Sequence, residues 1–317
     1  MLKYIWKRLI IAIFTLLIIL SVAFAVVRLM PGSVYDDPNL SASVIAILEE
    51  KAHLNEPIYI QYGYFIKGII LENNWGVSVK VEPGVPAFQV LLSKIPISLT
   101  INLMSLIIAI PIGIVVGIIS ALEKNKKSDT VISLGVVLGI SIPSFVFASL
   151  LQYFLGYKLG WFSLLYEPTS SFWNQLHSMM LPVIALALGP IATITRYLRG
   201  ELIEVLNSDF MTLARTKGLT QTQAILRHAL RNSGIPMVNV IIPMFANILG
   251  GSMVIERLFA IPGVGNLMIR SINSNDYSLT IAILIFYAAI FIASILLVDI
   301  SYGIIDPRVR VGGKKDE

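Results

Sequence analysis

The apolar residues of this chain come in runs of about 20, and no other feature limits its fold so strongly. A helix rises 1.5 Å per residue and needs about 20 residues to cross roughly 30 Å of hydrocarbon. Six such runs are readable, at 9–27, 99–122, 131–153, 181–198, 235–255 and 279–298. Over 317 residues the composition is 56% hydrophobic and 14% charged, against about 45–50% and about 25% in soluble domains. Mean hydropathy is +0.79. These values exclude a disordered or nucleic-acid-coating chain and argue against a soluble globular enzyme. The expected fold is an all-α membrane protein, a bundle of six transmembrane helices. The sequence has no cysteine, so disulfides, thiolate metal sites and cysteine nucleophiles are excluded.

The first run is tested against a secretory signal. Lys3, Lys7 and Arg8 precede it, and Ala23-Phe24-Ala25 has the look of a cleavage site. The run continues to Val27, long for a signal core and long enough to span, so we expect an uncleaved anchor over 1–29.

The connections carry the orientation, because basic residues concentrate on the cytoplasmic side. One set holds Lys3, Lys7, Arg8, Lys124, Lys126, Lys127, Arg196, Arg199, Arg215, Lys217, Arg227, Arg231, Arg308, Arg310, Lys314 and Lys315. The opposite set holds half as many: Arg28, Lys51, Lys67, Lys80, Lys94, Lys158, Arg257 and Arg270. Both termini are therefore expected in the cytoplasm, and the net charge of +5 reads as a topology signal that needs no nucleic acid to explain it. The chain divides into an N-terminal helix (1–29), an extracytoplasmic segment (30–98) and a transmembrane core (99–317) with a cytoplasmic loop at 201–233. Connections of such length are commonly functional.

Pro111, Pro143, Pro182, Pro190 and Pro243 fall inside spans, where each removes a backbone donor and kinks its helix. Gly113/Gly117, Gly135/Gly139 and Gly156/Gly160 have the four-residue spacing that lets helix backbones approach. Ordinary bundle packing and mobile kinked helices around a pathway both remain open. Asn102, Gln152, Asn239 and Asn247 are the deeper polar groups and the candidates for lining a path. No acid or histidine lies near the midplane, where an ion-driven carrier would need one. The power source is therefore expected on another chain. His53, His177 and His228 fall in three different loops without metal spacing, and no phosphate-binding loop occurs. No metal, cofactor or catalytic residue is expected on this chain.

The most informative segment lies in the cytoplasmic loop. Asp209 reads as an N-cap, followed by Phe210, Met211, Leu213 and Ala214 on one face, with Thr212, Arg215 and Lys217 beside them. Gly218 suits the left-handed residue that ends a helix. Thr220 to Gln223 reads as a capping box opening a second helix with an Ile225, Leu226, Ala229 and Leu230 stripe. From the residues alone the loop is a hairpin packed on the bundle, an interfacial helix on anionic lipid, or a docking knob for a cytoplasmic partner.

Leu213-Ala214-Arg215-Thr216-Lys217-Gly218-Leu219, then Arg227-His228-Ala229-Leu230-Arg231-Asn232 and Ile235-Pro236, resemble the "EAA" loop of ABC-importer permeases. The likeness is to the B-type subunit of oligopeptide, dipeptide and nickel importers. Of the general motif only Ala214, Gly218 and Leu230 are kept, and the departures at Thr212, Leu213, His228 and Arg231 resemble the peptide-permease branch. Arg28-Leu29-Met30-Pro31-Gly32, Leu54-Asn55-Glu56-Pro57 with Gln61-Tyr62, and Trp75-Gly76-Val77-Ser78 are similar to that branch. So are Ile261-Pro262-Gly263-Val264-Gly265 with Asp276-Tyr277, and Asp306-Pro307-Arg308-Val309-Arg310.

The resemblance implies half of a translocation pathway in a heteromeric importer, not an enzyme. Its partners would be a paired C-type permease, two ATPases carrying ATP and Mg, an extracytoplasmic binding protein and membrane lipid. The 209–217 helix would couple to an ATPase, with Gly218, His228 and Leu230 completing that site. Peptide is the first expectation for substrate, with nickel chelates or other small solutes as alternatives. A stand-alone carrier or channel is the rival class. The 30–98 segment is expected to dock the binding protein, to lid the external mouth, or simply to cap the bundle.

Overall fold

A computed structural model describes residues 2–36, 41–169, 171–246 and 252–305. Asn247, Asp37 and the 306–310 stretch lie outside the described residues. Among those described, the chain is helical and without β-strands, apart from a bridge between Val77 and Pro86.

The helices are α1 (Leu2–Leu29), α2 (Ala42–Lys51), α3 (Ile58–Glu72), α4 (Ala87–Leu122), α5 (Lys127–Ser141) and α6 (Ser144–Leu151). A π-helical stretch, Gln152–Lys158, extends α6. Then come α7 (Phe172–Leu206), α8 (Asp209–Thr216) and α9 (Gln221–Ala224), a second π-helical stretch at Ile225–Ala229, and α10 (Leu230–Ala246). The last are α11 (Met253–Leu258), α12 (Val264–Asn273) and α13 (Tyr277–Ile305).

Helices α1, α4, α7 and α13 each contain a stretch long and apolar enough to span a membrane. α4 has 36 residues and α7 has 35, well beyond the roughly 20 that hydrocarbon requires, so both run past the span limits read from hydropathy. The third expected span is not one straight helix. α5 and the α6 arm meet at a bend of 105°. Pro143 is the cause: Ile142 before it is held extended at φ −79° and ψ 122°, which ends α5, and α6 starts afresh behind the proline. The fifth expected span overlaps the proline-containing α10, whose apolar stretch Pro236–Phe245 is shorter than a membrane crossing requires among the described residues. Large apolar side chains stand exposed along α1 (Ile10, Phe14, Ile18) and α5 (Val131, Leu134, Val137). Exposure on that scale suits lipid or a partner chain rather than water.

The chain forms two compact units. In the first, Leu20, Phe24 and Val27 of α1 pack with Val34, Tyr277, Ile281 and Ile285, and Tyr62, Phe65 and Trp75 close over them. Ala87, Val90 and Leu91 at the start of α4 pack with Val264, Leu267 and Met268 of α12 and Leu279, Ala282 and Ile283 of α13. In the second, α4, α5, α6 and α10 pack on α7. Gly113 and Gly117 lie against α7, where an added Cβ would come within 2.8 Å of Ile194 and 3.2 Å of Leu198. Gly139 does the same against Ala192, whereas Gly135 has nothing within 4 Å.

Candidate functional site

The 201–233 loop folds as two short helices after α7. Ser208, not Asp209, occupies the N-cap of α8, and Asp209 is its first residue, where a carboxylate opposes the helix dipole favourably. Gly218 follows the helix at φ +87°. Its N–H donates to the Arg215 carbonyl at 3.0 Å, and the Leu219 N–H donates to the Ala214 carbonyl at 3.3 Å. That pair of bonds is a Schellman closure and requires the left-handed residue. The expected capping box is present: the Gln223 N–H donates to Thr220 Oγ1 at 3.3 Å and the Thr220 N–H to Gln223 Oε1 at 3.2 Å.

The apolar face of α8 divides. Met211 is 1% and Ala214 7% exposed, packed with Ala121, Leu202, Ala224 and Ala229 of the same unit. Phe210 and Leu213 are 42% and 54% exposed. Of the four residues expected to meet a partner, Met211 and Ala214 thus pack on this chain and Phe210 and Leu213 are exposed. One face of a two-turn helix cannot pack on its own chain and on another, so Met211 and Ala214 anchor the knob while Phe210 and Leu213 are presented. Leu230 likewise packs partly inward, and Leu226 faces out. Asp209, Thr212, Arg215, Lys217, Arg227 and His228 are exposed around it.

An ion pair not foreseen from the sequence steadies the same unit. Arg199 on α7 donates from Nε to Oδ1 and from Nη2 to Oδ2 of Asp129, both at 2.7 Å. Asp129, buried in the first turn of α5, also accepts from Ser120 Oγ at 2.6 Å and the Asn125 N–H at 3.0 Å. It thereby ties α4, α5 and α7. Beside it is a cavity of about 400 Å³ lined by Ser120, Ser133, Ser141, Thr195, Arg196 and Arg199 among others. Of the expected pathway residues, Asn102 on α4 and Asn239 on α10 are half-buried. Gln152 is engaged otherwise: its amide donates to the Leu164 carbonyl at 2.7 Å and braces the turn after α6.

In the first unit, two buried carboxylates organise the stretches that carry the family likeness. Asp276 Oδ2 accepts from Ser78 Oγ at 2.6 Å and from the N–H groups of Val79, Lys80 and Val81, each at 3.1 Å. Its other oxygen faces the Leu279 N–H and caps α13. Next to it the Tyr277 hydroxyl donates to the Gly32 carbonyl. Glu256 accepts from Ser98 Oγ at 2.7 Å and from the Asn266 N–H at 3.0 Å, while Ser98 Oγ accepts from the Val264 N–H at 2.9 Å. Together they cap α12. Burial outweighs these bonds and holds the Glu256 carboxyl above its usual range. A Cβ on Gly263 would sit 2.5 Å from the Glu256 carboxylate, and one on Gly265 2.7 Å from the Met253 nitrogen. The glycines of Pro262-Gly263-Val264-Gly265 make room for that carboxylate. Glu256 and Ser98 were not singled out from the sequence, and Asp276 and Ser78 were named only as parts of stretches resembling the family. The signal available was scarcity, since Glu256, Asp276 and Asp299 are the only acids in 250–300. Among the described residues no three potential ligands gather as a metal site.

The structure thus combines helices long and apolar enough to cross a membrane with a loop of two short helices that leaves Phe210, Leu213 and Leu226 exposed. The match to known families agrees: residues 113–311 fit the family of binding-protein-dependent transport system inner membrane components, and residues 1–93 fit that family's N-terminal model. The chain belongs to this family, whose members are multi-pass transporter subunits rather than enzymes.

Among full-length relatives, it is 37% identical over 311 residues to the dipeptide transport system permease protein DppB of Lactococcus lactis subsp. cremoris, covering 98% of this chain and all of that one. It is 36% identical over 317 residues to DppB of Bacillus subtilis, covering 99% of this chain and all of that one. It is 37% identical over 314 residues to the oligopeptide permease OppB of Escherichia coli K12, again covering 98% of this chain and all of that one. A solved inward-facing MetNI methionine ABC transporter shares the fold at TM-score 0.50 and 16% identity, covering 67% of this chain and 96% of that chain.

Proposed function

We propose that this chain is one permease of an ATP-driven importer of dipeptides or oligopeptides. The observation that carries the reading is likeness along the whole chain to relatives named as dipeptide and oligopeptide permeases. The chain would cross the membrane six times with both termini in the cytoplasm, the bent α5–α6 pair and α10 supplying the two spans beyond α1, α4, α7 and α13. Its partners would be a second permease, two ATPases that hold ATP and Mg, and an external protein that delivers substrate.

In this reading α8 is the coupling helix. Phe210 and Leu213 enter a cleft of the ATPase, Met211 and Ala214 transmit its movement to α7, and Gly218 sets the turn. The hydroxyl-lined cavity beside Arg196 and Arg199, with Asn102 and Asn239, offers hydrogen-bond partners to the amides and carboxylate of a peptide in transit.

The test is Phe210→Ala with Leu213→Ala in the reconstituted importer. Truncating two exposed apolar anchors should lower peptide uptake by roughly tenfold or more, the weight of a docking hot spot, while insertion and thermal stability stay near wild type. Met211→Ala should instead lower stability. Normal uptake by the Phe210/Leu213 variant sinks the coupling assignment.

A further inference from the structure

Lys80, Arg257 and Arg270 line one open groove of about 250 Å³, together with Val81, Asn273 and Ser274. Among the described residues no carboxylate lines it. Arg257 and Arg270 are exposed and form no ion pair among the described residues. Lys80 Nζ donates to the Asp36 carbonyl at 2.8 Å, which leaves its charge unneutralised.

The buried acids place these cations. Asp276 holds the Lys80 N–H, so the loop carrying Lys80 is clasped to the start of α13. Arg257 follows Glu256, and the Glu256 carboxylate caps α12, which carries Arg270. Three cations held around one opening repel each other until an anion arrives. Guanidinium forks pair with planar oxyanions such as carboxylates through two parallel hydrogen bonds. Sites for small molecules enclose most of their ligand, and this groove lies open, which favours a protein surface over a free solute.

We infer that the groove is a docking point for an acidic patch of the external substrate-delivering protein, whose carboxylates pair with Arg257 and Arg270. The inference rests on the importer reading and on the outward orientation of 30–98.

The test uses the complete importer in discs of neutral lipid, titrated with peptide-loaded binding protein from the same organism, with ATPase activity as the readout. The R257Q/R270Q variant should raise the half-saturating binding-protein concentration roughly tenfold and flatten its salt dependence, as loss of steering charges does. R257K/R270K keeps the charge and should recover most of that loss. An unchanged half-saturating concentration in R257Q/R270Q overturns the inference. So does an equal loss in both variants, which marks a structural role, or an effect confined to discs containing anionic lipid, which marks a headgroup site. A shift in the peptide concentration needed, with binding-protein dependence unmoved, overturns it in favour of a substrate site. A wild-type importer that binding protein does not stimulate overturns the importer reading and takes this inference with it.

Discussion

Asp276 accepts hydrogen bonds from Ser78 Oγ and three successive backbone N–H groups, and it caps α13, so one carboxylate clasps two distant parts of the chain. Removing it strands five donors in a buried or partly buried place, and each unsatisfied buried donor costs about 1–3 kcal/mol. Asp276→Ala should therefore lower the stability of the first unit by roughly 3 kcal/mol after partial relaxation, with Asp276→Asn milder because one oxygen is kept. Thermal unfolding of the purified protein in detergent measures this, and an unshifted midpoint in both variants would show that the clasp carries no weight. From the sequence, Asp276-Tyr277 and Trp75-Gly76-Val77-Ser78 were legible only as separate stretches of family likeness. Nothing in residue order shows that a carboxylate at 276 meets amides at 79–81.

At the scale of elements, the apolar runs and breakers were legible and their consequences only partly so. The four-residue glycine spacing is alike at Gly113/Gly117 and Gly135/Gly139, yet the structure separates them. Gly113 and Gly117 both take the backbone of α7 at close range, whereas Gly135 faces open space. Gly113→Ala should cost about 1–3 kcal/mol through overpacking against Ile194. Gly135→Ala should be neutral or stabilise by up to about 1 kcal/mol through lower backbone entropy in the unfolded chain. Comparing the two melting midpoints checks the pair, and equal effects would refute close packing at Gly113. The α8 knob follows the same pattern. Its helix, closing glycine and capping box come from local chemistry and were readable. Which apolar residues face inward depends on the distant Ala121 and Leu202, and no local pattern carries that.

For the whole molecule, the scarcity of charge in the spans carries the expectation that power comes from another chain, and the family is that of inner membrane components of binding-protein-dependent transport systems. Reconstituted alone under an ion gradient, this chain should move no peptide. The proposed complex with a paired permease, ATPases and a binding protein should take up peptide only with ATP. Uptake of labelled dipeptide into proteoliposomes distinguishes the two, and uptake by the isolated chain would restore the carrier reading.

The sequence by itself determined the class of this protein, because hydrocarbon thickness and the cost of unpaired backbone in lipid leave helices as the form for such runs. It also determined local features set by neighbours along the chain: the proline break at 143, the Gly218 turn and the Thr220 box. Tertiary structure alone decided which groups meet over distance. Asp129 finds Arg199, Glu256 caps α12 with Ser98, and Asp276 clasps 78–81. Those pairings depend on how helices cross and which faces they bury, which is a property of packing rather than of local order.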